Sequence, residues 1–305
     1  MTNVNVNTLK MRAFREAAMK ILFTVAACVS ILAVLLICLF IFANGIPAIA
    51  EIGVFDFLLG QTWKPNAGIF GIFPMIIGSL YATAGAIIVG VPLGILMAIF
   101  MAHFCPQSIY RVIKPFVELL AGIPSVVYGF LGIRLLVPLI HGFFPDEKSG
   151  SGLLAASVML GIMILPTIIN VSESAIRAVP ENYYEGSLAL GATHERSVFF
   201  TVVPAAKSGV LASVILGVGR AIGETMAVIW VAGNAPIVPD SLMSSVRTMT
   251  SNVVLEMGYA TGLHRDALIG TAVVLFVFIL IINLSFSAIK ANKGFSLTRK
   301  RKSGQ

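Results

Sequence analysis

Long apolar runs separated by short polar stretches dominate the chain, and their lengths set the first expectation. Ile21–Ala43 carries no charged residue and is long enough to cross a hydrocarbon layer about 30 Å thick. Further runs at about Ile72–Phe104, Phe116–Ile140, Gly152–Asn170, Ser208–Gly233 and Asp266–Ile289 bring the predicted transmembrane helices to six. The pattern predicts an all-α membrane protein. For the first run a signal peptide is the rival reading, since Ala48-Ile49-Ala50 has a small-x-small spacing. The run exceeds the roughly 7 to 15 residues of a signal core, which favours a retained helix.

The polar stretches divide the chain further. Residues 1–20 form a polar tail, 21–43 the first helix and 44–71 an external loop. Residues 72–290 make a core of five helices that includes a polar segment at 171–207, and 291–305 a basic tail. The external loop is broken by glycines and prolines, and its Trp63 is expected at the membrane interface. Pro166 predicts a break or kink in the fourth run, and Pro180 the start of two short helices in the 171–207 segment. Most of the 21 Lys and Arg residues fall in the two tails and in the segments Cys105–Pro115 and Val171–Lys207. Only Lys64, Lys148, Arg247 and Arg265 fall in the intervening loops. That asymmetry predicts both termini on the cytoplasmic side.

Composition narrows the class. Hydrophobic residues make up 57% of the 305 positions and charged residues 11%, against roughly 25% charged in soluble domains. The formal net charge of +7 comes from residues flanking apolar runs, without the basic stripe and interleaved aromatics of a nucleic-acid surface. Cys28, Cys38 and Cys105 lack the spacing of a metal site or a disulfide framework. His103, His141, His194 and His264 lie at or outside the ends of the runs and read as interfacial, so no metal site and no catalytic constellation is predicted. No GxxxxGK[ST] pattern occurs, so the chain has no nucleotide site of that kind.

Two charges inside the fifth run need a reason. Arg220 and Glu224 each cost about 2.5 to 3.5 kcal/mol at the centre of a membrane helix, and charges that expensive mark pathways or partners. Four residues apart, they are expected to share a helical face and pair, with the arginine offering a waypoint to an anion. The bland alternative is a structural ion pair, with Gly219 and Gly223 as a close-packing pair. In the third run Gly122, Pro124 and Ser125 are expected to interrupt the helix, for packing or to offer Ser125 to the passage. Glu118 and Arg134, near the two ends of that run, read as interfacial, with a gate as the alternative role for Arg134.

The 171–207 segment carries the most specific pattern. Glu185-Gly186-Ser187 is followed by Gly191 six residues after the glutamate and Pro204 thirteen after that glycine. This resembles the EAA loop of ABC-importer permeases, with Gly186, Ser187, Thr201 and Val203 departing from the consensus residues. ELLAGIPSVVYG at Glu118–Gly129, VGRAIGETMAV at Val218–Val228 and FDFLLGQTWKP at Phe55–Pro65 are similar to the phosphate-importer permeases of the PstC type. That resemblance implies a type I ABC-importer (MetI-like) permease fold. It also implies a PstA-like second permease, a PstB-like ATPase dimer that holds ATP and magnesium, and a PstS-like phosphate-binding protein. The chain itself would then be a permease subunit and not an enzyme, set in the bacterial inner membrane, with Glu185, Gly186, Gly191 and Pro204 in the ATPase-coupling loop.

Two other oxyanions, sulfate and molybdate, suit a single arginine as well as phosphate does. Two other classes are weighed against the importer. An ion-coupled secondary transporter needs coupling-ion ligands and usually an internal repeat, and an intramembrane hydrolase needs a nucleophile with its base inside the runs. The sequence displays neither.

Overall fold

The computed structural model describes residues 6–145 and 149–302, with side chains placed for 15–145 and 149–285. Lys148, one of the loop cations named above, lies outside the described residues. Helix α1 (Val6–Ile52) takes in most of the predicted tail and runs past Ala43 into the predicted loop. Apolar on all sides, it leaves nearly every side chain between Glu16 and Leu36 exposed, as expected where lipid is the solvent. Its far end packs on α14 (Leu263–Lys302): Phe42 meets Phe276 edge-on at 5.7 Å, and Gly45 lies against Gly270 and Val273.

Between α1 and the next span the chain forms α2 (Val54–Leu59) and a short antiparallel hairpin, β1 (Trp63–Lys64) with β2 (Ile69–Phe70). One face of the hairpin, Trp63 and Phe70, is buried, contrary to the interfacial position expected of Trp63, while Lys64 and Ile69 are exposed. Trp63 is 5% exposed and packs with Phe57, Phe70 and Met75 in a small core beneath the bundle's end. Proximity in the fold to polar partners, described below, outweighs the indole's preference for the interface.

The centre of the molecule is the pair α3 (Phe73–Ile99) and α7 (Leu153–Arg177), where Ala82, Ala86, Leu160, Ile164 and Ile168 are buried together. Close approach comes from glycine. A Cβ on Gly90 would stand 2.7 Å from the Gly161 carbonyl, and one on Gly94 2.7 Å from Ile168 Cγ2. Helix α7 continues through Pro166 and on to Arg177, so the expected break and the expected end at Asn170 are both corrected. Packing from α3 and from α11 (Lys207–Gly223) holds the helix across the proline, as neighbours do for prolines in membrane bundles.

The remaining spans are interrupted. A π-helical turn at Phe100–Phe104 ends the α3 span. The third run becomes α4 (Gln107–Gly122), α5 (Ser125–Leu131), a π-helical turn at Gly132–Leu136 and α6 (Val137–Phe143). After α7 come α8 (Glu181–Ala189), α9 (His194–Ser197) and a π-helical turn at Val198–Val202. Then follow α10 (Val203–Ala205), α11, α12 (Met226–Val231) and α13 (Met249–Met257), ahead of α14. Among the described residues, five helical stretches are long and apolar enough to cross a membrane, and the bent pair ending in α11 makes a sixth if it is one span.

Overpacking at a glycine contact of this kind costs about 1 to 3 kcal/mol. Gly90→Ala is therefore expected to lower the thermal unfolding midpoint of the purified chain. Gly142→Ala, where nothing stands within 4 Å of the added carbon, should leave it unchanged or slightly raised. Circular dichroism in one detergent compares the two directly.

Candidate functional site

The fifth run is not one helix. α11 stops at Gly223, Glu224 is extended (φ −69°, ψ 135°), and α12 starts at Met226. The expected Arg220 and Glu224 pair is consequently absent, because the helical turn that would have aligned them does not form. Glu224 turns to the following segment: its Oε1 accepts from the backbone N–H of Thr225 at 3.1 Å and of Ala227 at 3.4 Å, capping α12. Arg220 is half-buried, and its Nη1 stands 3.4 Å from Thr167 Oγ1 on α7. Among the described residues no carboxylate pairs with it.

Carbonyls released by such a break need donors where water is scarce. Thr225 Oγ1 donates to the Gly223 carbonyl at 3.2 Å, and Thr250 Oγ1, from α13, to the Glu224 carbonyl at 2.9 Å. The third run repeats the device. Ile123 and Pro124 are extended, α5 starts at Ser125, and Tyr128 hydroxyl donates across the gap to the Leu120 carbonyl at 2.7 Å. α5 and α12 touch: a Cβ on Gly129 would lie 2.6 Å from Trp230 Cδ1 and 3.1 Å from Ala227 Cα. The two interrupted helices thus meet just beyond their breaks.

Other predicted residues fall differently. At Gly122, Gly219 and Gly223 an added Cβ would find nothing within 4 Å among the described residues, so the helix packing expected of them does not occur there. Pro124 acts as the turn before α5 and not as a packing kink in a continuous helix. Among the described residues no hydrogen bond joins Ser125 to Arg220 or Glu224. Glu118 is exposed on α4, and Arg134 lies 5.7 Å over the Phe130 ring within the π-helical turn.

At one end of the bundle the 171–207 segment forms a compact knob, which starts only after Arg177. Gly191 has φ +85° and turns α8 into α9, a conformation that disfavours side chains. Glu185, Gly186 and Pro204 are exposed on it. Tyr184 hydroxyl lies 2.7 Å from His194 Nδ1, and the His194 ring meets Phe104 edge-on at 4.7 Å. This joins the knob to the π-helical end of α3 and corrects the interfacial reading of that histidine. Ser187, a departure from the consensus alanine, accepts from Ser197 Oγ at 3.0 Å and from Thr201 Oγ1 at 3.4 Å. Tyr183, Leu190 (91% exposed) and Phe200 project outward. The stretch His194–Ala205 meets α11 at 69°, so one bend joins the knob to the helix that carries Arg220.

Two polar centres escaped the sequence reading. Glu173, 2% exposed, accepts from Tyr110 hydroxyl at 2.7 Å, Lys114 Nζ at 2.9 Å and Arg177 Nε at 2.9 Å. Arg177 Nη2 also donates to the Met101 carbonyl at 2.6 Å, stapling α3, α4 and α7 together beside the knob. At the opposite end Glu256 accepts from Trp63 Nε1 at 2.8 Å, Arg247 Nη1 at 2.6 Å and His264 Nε2 at 2.9 Å. The i, i+4 spacing of Glu173 and Arg177 was a usable signal; partners as remote as Trp63 and Glu256 leave none.

The chain matches the family described as "Binding-protein-dependent transport system inner membrane component" over residues 90–292. It is 36% identical over 287 residues to the probable ABC transporter permease protein YqgH of Bacillus subtilis, covering 91% of this chain and 93% of that one. It is 35% identical over 256 residues to the phosphate transport system permease protein PstC of Mesorhizobium japonicum, covering 78% of each. Among solved structures, the inward-facing MetNI methionine ABC transporter aligns with TM-score 0.57 at 18% identity, over 76% of this chain and 99% of that one. A bacterial importer of alginate aligns with TM-score 0.56 at 14% identity, over 92% and 99%. The fold is thus the MetI-like permease fold. This chain belongs to the family of binding-protein-dependent transport system inner membrane components, the multi-pass permease subunits of ABC importers.

Burial by itself would raise the Glu256 carboxyl, but the hydrogen bonds from Trp63, His264 and Arg247 and the charge of Arg247 hold it below the ordinary glutamate value. A lowered folded-state value means the ionised form stabilises the fold above the unfolded value and loses that contribution as pH falls through the folded one. Unfolding of the hairpin end, followed by Trp63 fluorescence, is therefore expected to be flat from neutral pH down to the ordinary glutamate range and to become easier in stronger acid. Glu256→Ala should cost about 3 to 5 kcal/mol by stranding Arg247 and flatten that acid limb.

Proposed function

We propose that the chain is the permease subunit of a phosphate importer and that Arg220 is a waypoint for the anion. The observation carrying this reading is an arginine without a carboxylate partner among the described residues, at the broken end of α11. A guanidinium in a low-dielectric passage attracts an oxyanion strongly and offers it a planar donor array. With Glu224 engaged in capping α12, phosphate need not displace a carboxylate to reach Arg220. A single cation with weak hydroxyl support also suits transport, since a conducted ion must leave as readily as it arrives. Several relatives at about a third identity bear the name phosphate transport system permease protein, which supports phosphate over sulfate or molybdate.

In this reading a PstS-like binding protein delivers phosphate to the hairpin end, which faces outward, and a PstA-like permease completes the passage. A PstB-like ATPase dimer, which holds ATP and magnesium, grips the knob around Glu185, Gly186, Gly191 and Pro204 on the cytoplasmic side. Both termini lie in the cytoplasm, as the loop charges favour. Ser125, at the start of α5, is offered to the same passage by the second break.

Labelled phosphate uptake in cells lacking their own importer tests the reading. Arg220→Gln and Arg220→Lys should both assemble. The glutamine variant is expected to lose at least about a hundredfold in rate, the value of a preorganised charge facing an anion in a dry site, while lysine retains part of it. Uptake by Arg220→Gln at the original rate overturns the pathway role, and uptake of sulfate or molybdate in place of phosphate overturns the substrate.

A further inference from the structure

We infer that Thr250 is a positioning residue for the pathway, a latch that ties α13 to the broken end of α11. Its hydroxyl, on a residue 7% exposed, donates to the Glu224 carbonyl at 2.9 Å. The other hydrogen bonds described at this break come from its own strand of chain, through Thr225 Oγ1 and the Glu224 carboxylate. Among the described residues, Thr250 alone reaches it there from a different element.

The far side of the latch is rigid. α13 is held to α3 by Met249 N–H donating to Ser79 Oγ at 2.9 Å, and its first turn is capped by Thr248 through Ser251 N–H at 3.2 Å. Its last turn carries Glu256, which gathers Trp63 of the hairpin, Arg247 and His264 of α14. Arg247 Nε in turn donates to the Asn234 carbonyl at 2.8 Å, just past α12. The hairpin, α13 and the start of α14 therefore form one hydrogen-bonded unit, and Thr250 is where that unit grips the helix carrying Arg220. On the other end of that helix sits the knob, 69° away from its axis. Whatever docks on the hairpin end and whatever moves the knob act on the same bond from opposite sides.

A carbonyl satisfied only for stability would place a hydroxyl at the same point, so the two roles must be separated by function. The inference rests on the reading of α11 as pathway helix. The assay is the whole importer, this chain with its partner permease and ATPase, in proteoliposomes, with inorganic phosphate as the probe and the binding protein added or withheld. Thr250→Val keeps the shape and removes the donor; Thr250→Ser keeps the donor. Thr250→Val is expected to lower maximal phosphate uptake about fivefold to tenfold, the rate equivalent of one hydrogen bond. The half-saturating concentration of loaded binding protein should shift less than about twofold. ATP hydrolysis without binding protein should rise, because α11 and the knob are no longer held, and Thr250→Ser should restore both readouts. Wild-type uptake and hydrolysis in Thr250→Val overturn the latch, as does a fall in both that serine does not rescue. If the valine variant does not assemble, Thr250→Cys, with its weak donor, is read by the same criteria. Wild-type uptake by Arg220→Gln in this assay fails the pathway reading itself; an inactive Arg220→Gln beside a wild-type-like Thr250→Val fails only the latch.

Discussion

A helix that stops inside a membrane leaves carbonyls without donors, and the arrangement around Arg220 follows from how this chain supplies them. At Gly223 and Glu224 the donors are Thr225 and Thr250; at the gap before Pro124 the donor is Tyr128. Each is a hydroxyl: Thr225 and Tyr128 lie just past the break they serve, and Thr250 comes from α13. Once both breaks are satisfied, α5 and α12 pack through Gly129, and polar backbone can lie between spans that are otherwise apolar. Glu224 is occupied at the start of α12, and among the described residues Arg220 is left with only the Thr167 hydroxyl.

Rigidity surrounds this loosely held charge. Glu173 fastens α4 and the end of α3 to α7 on the knob side, and Glu256 fastens the hairpin, Arg247 and α14 on the other. Both glutamates are nearly inaccessible and accept three side-chain hydrogen bonds each, so desolvation of the charge is offset by donors fixed in place. Between them α11 spans the distance as one uninterrupted helix from Lys207 to Gly223. Beyond the end of α11 the chain breaks its helix, and hydroxyls hold that break.

Much of the fold was legible from pattern. Six apolar stretches, an interruption at Gly122–Ser125 and a turn at Gly191 between two short helices all follow from residue types whose backbone preferences are local. The misreadings share a cause. Pro166 sits in a helix that continues past it between two packed neighbours, and Trp63 is drawn inward by a glutamate far along the chain. Arg220 and Glu224 are separated because the helix register that would pair them ends between them. The glycines at 219 and 223 have the spacing of a packing pair but no neighbour within 4 Å of an added Cβ among the described residues.

What the sequence determined by itself was the set of apolar lengths, the positions of charge and the turn residues, because these act through the bilayer and through backbone conformation at a single residue. Tertiary structure decided which polar groups meet. Tyr110, Lys114 and Arg177 converge on Glu173, Trp63 and His264 on Glu256, and Thr250 on the Glu224 carbonyl through contacts between remote segments. A hydrogen bond reports the relative placement of two elements to within a few tenths of an ångström, and no spacing along one chain encodes that placement.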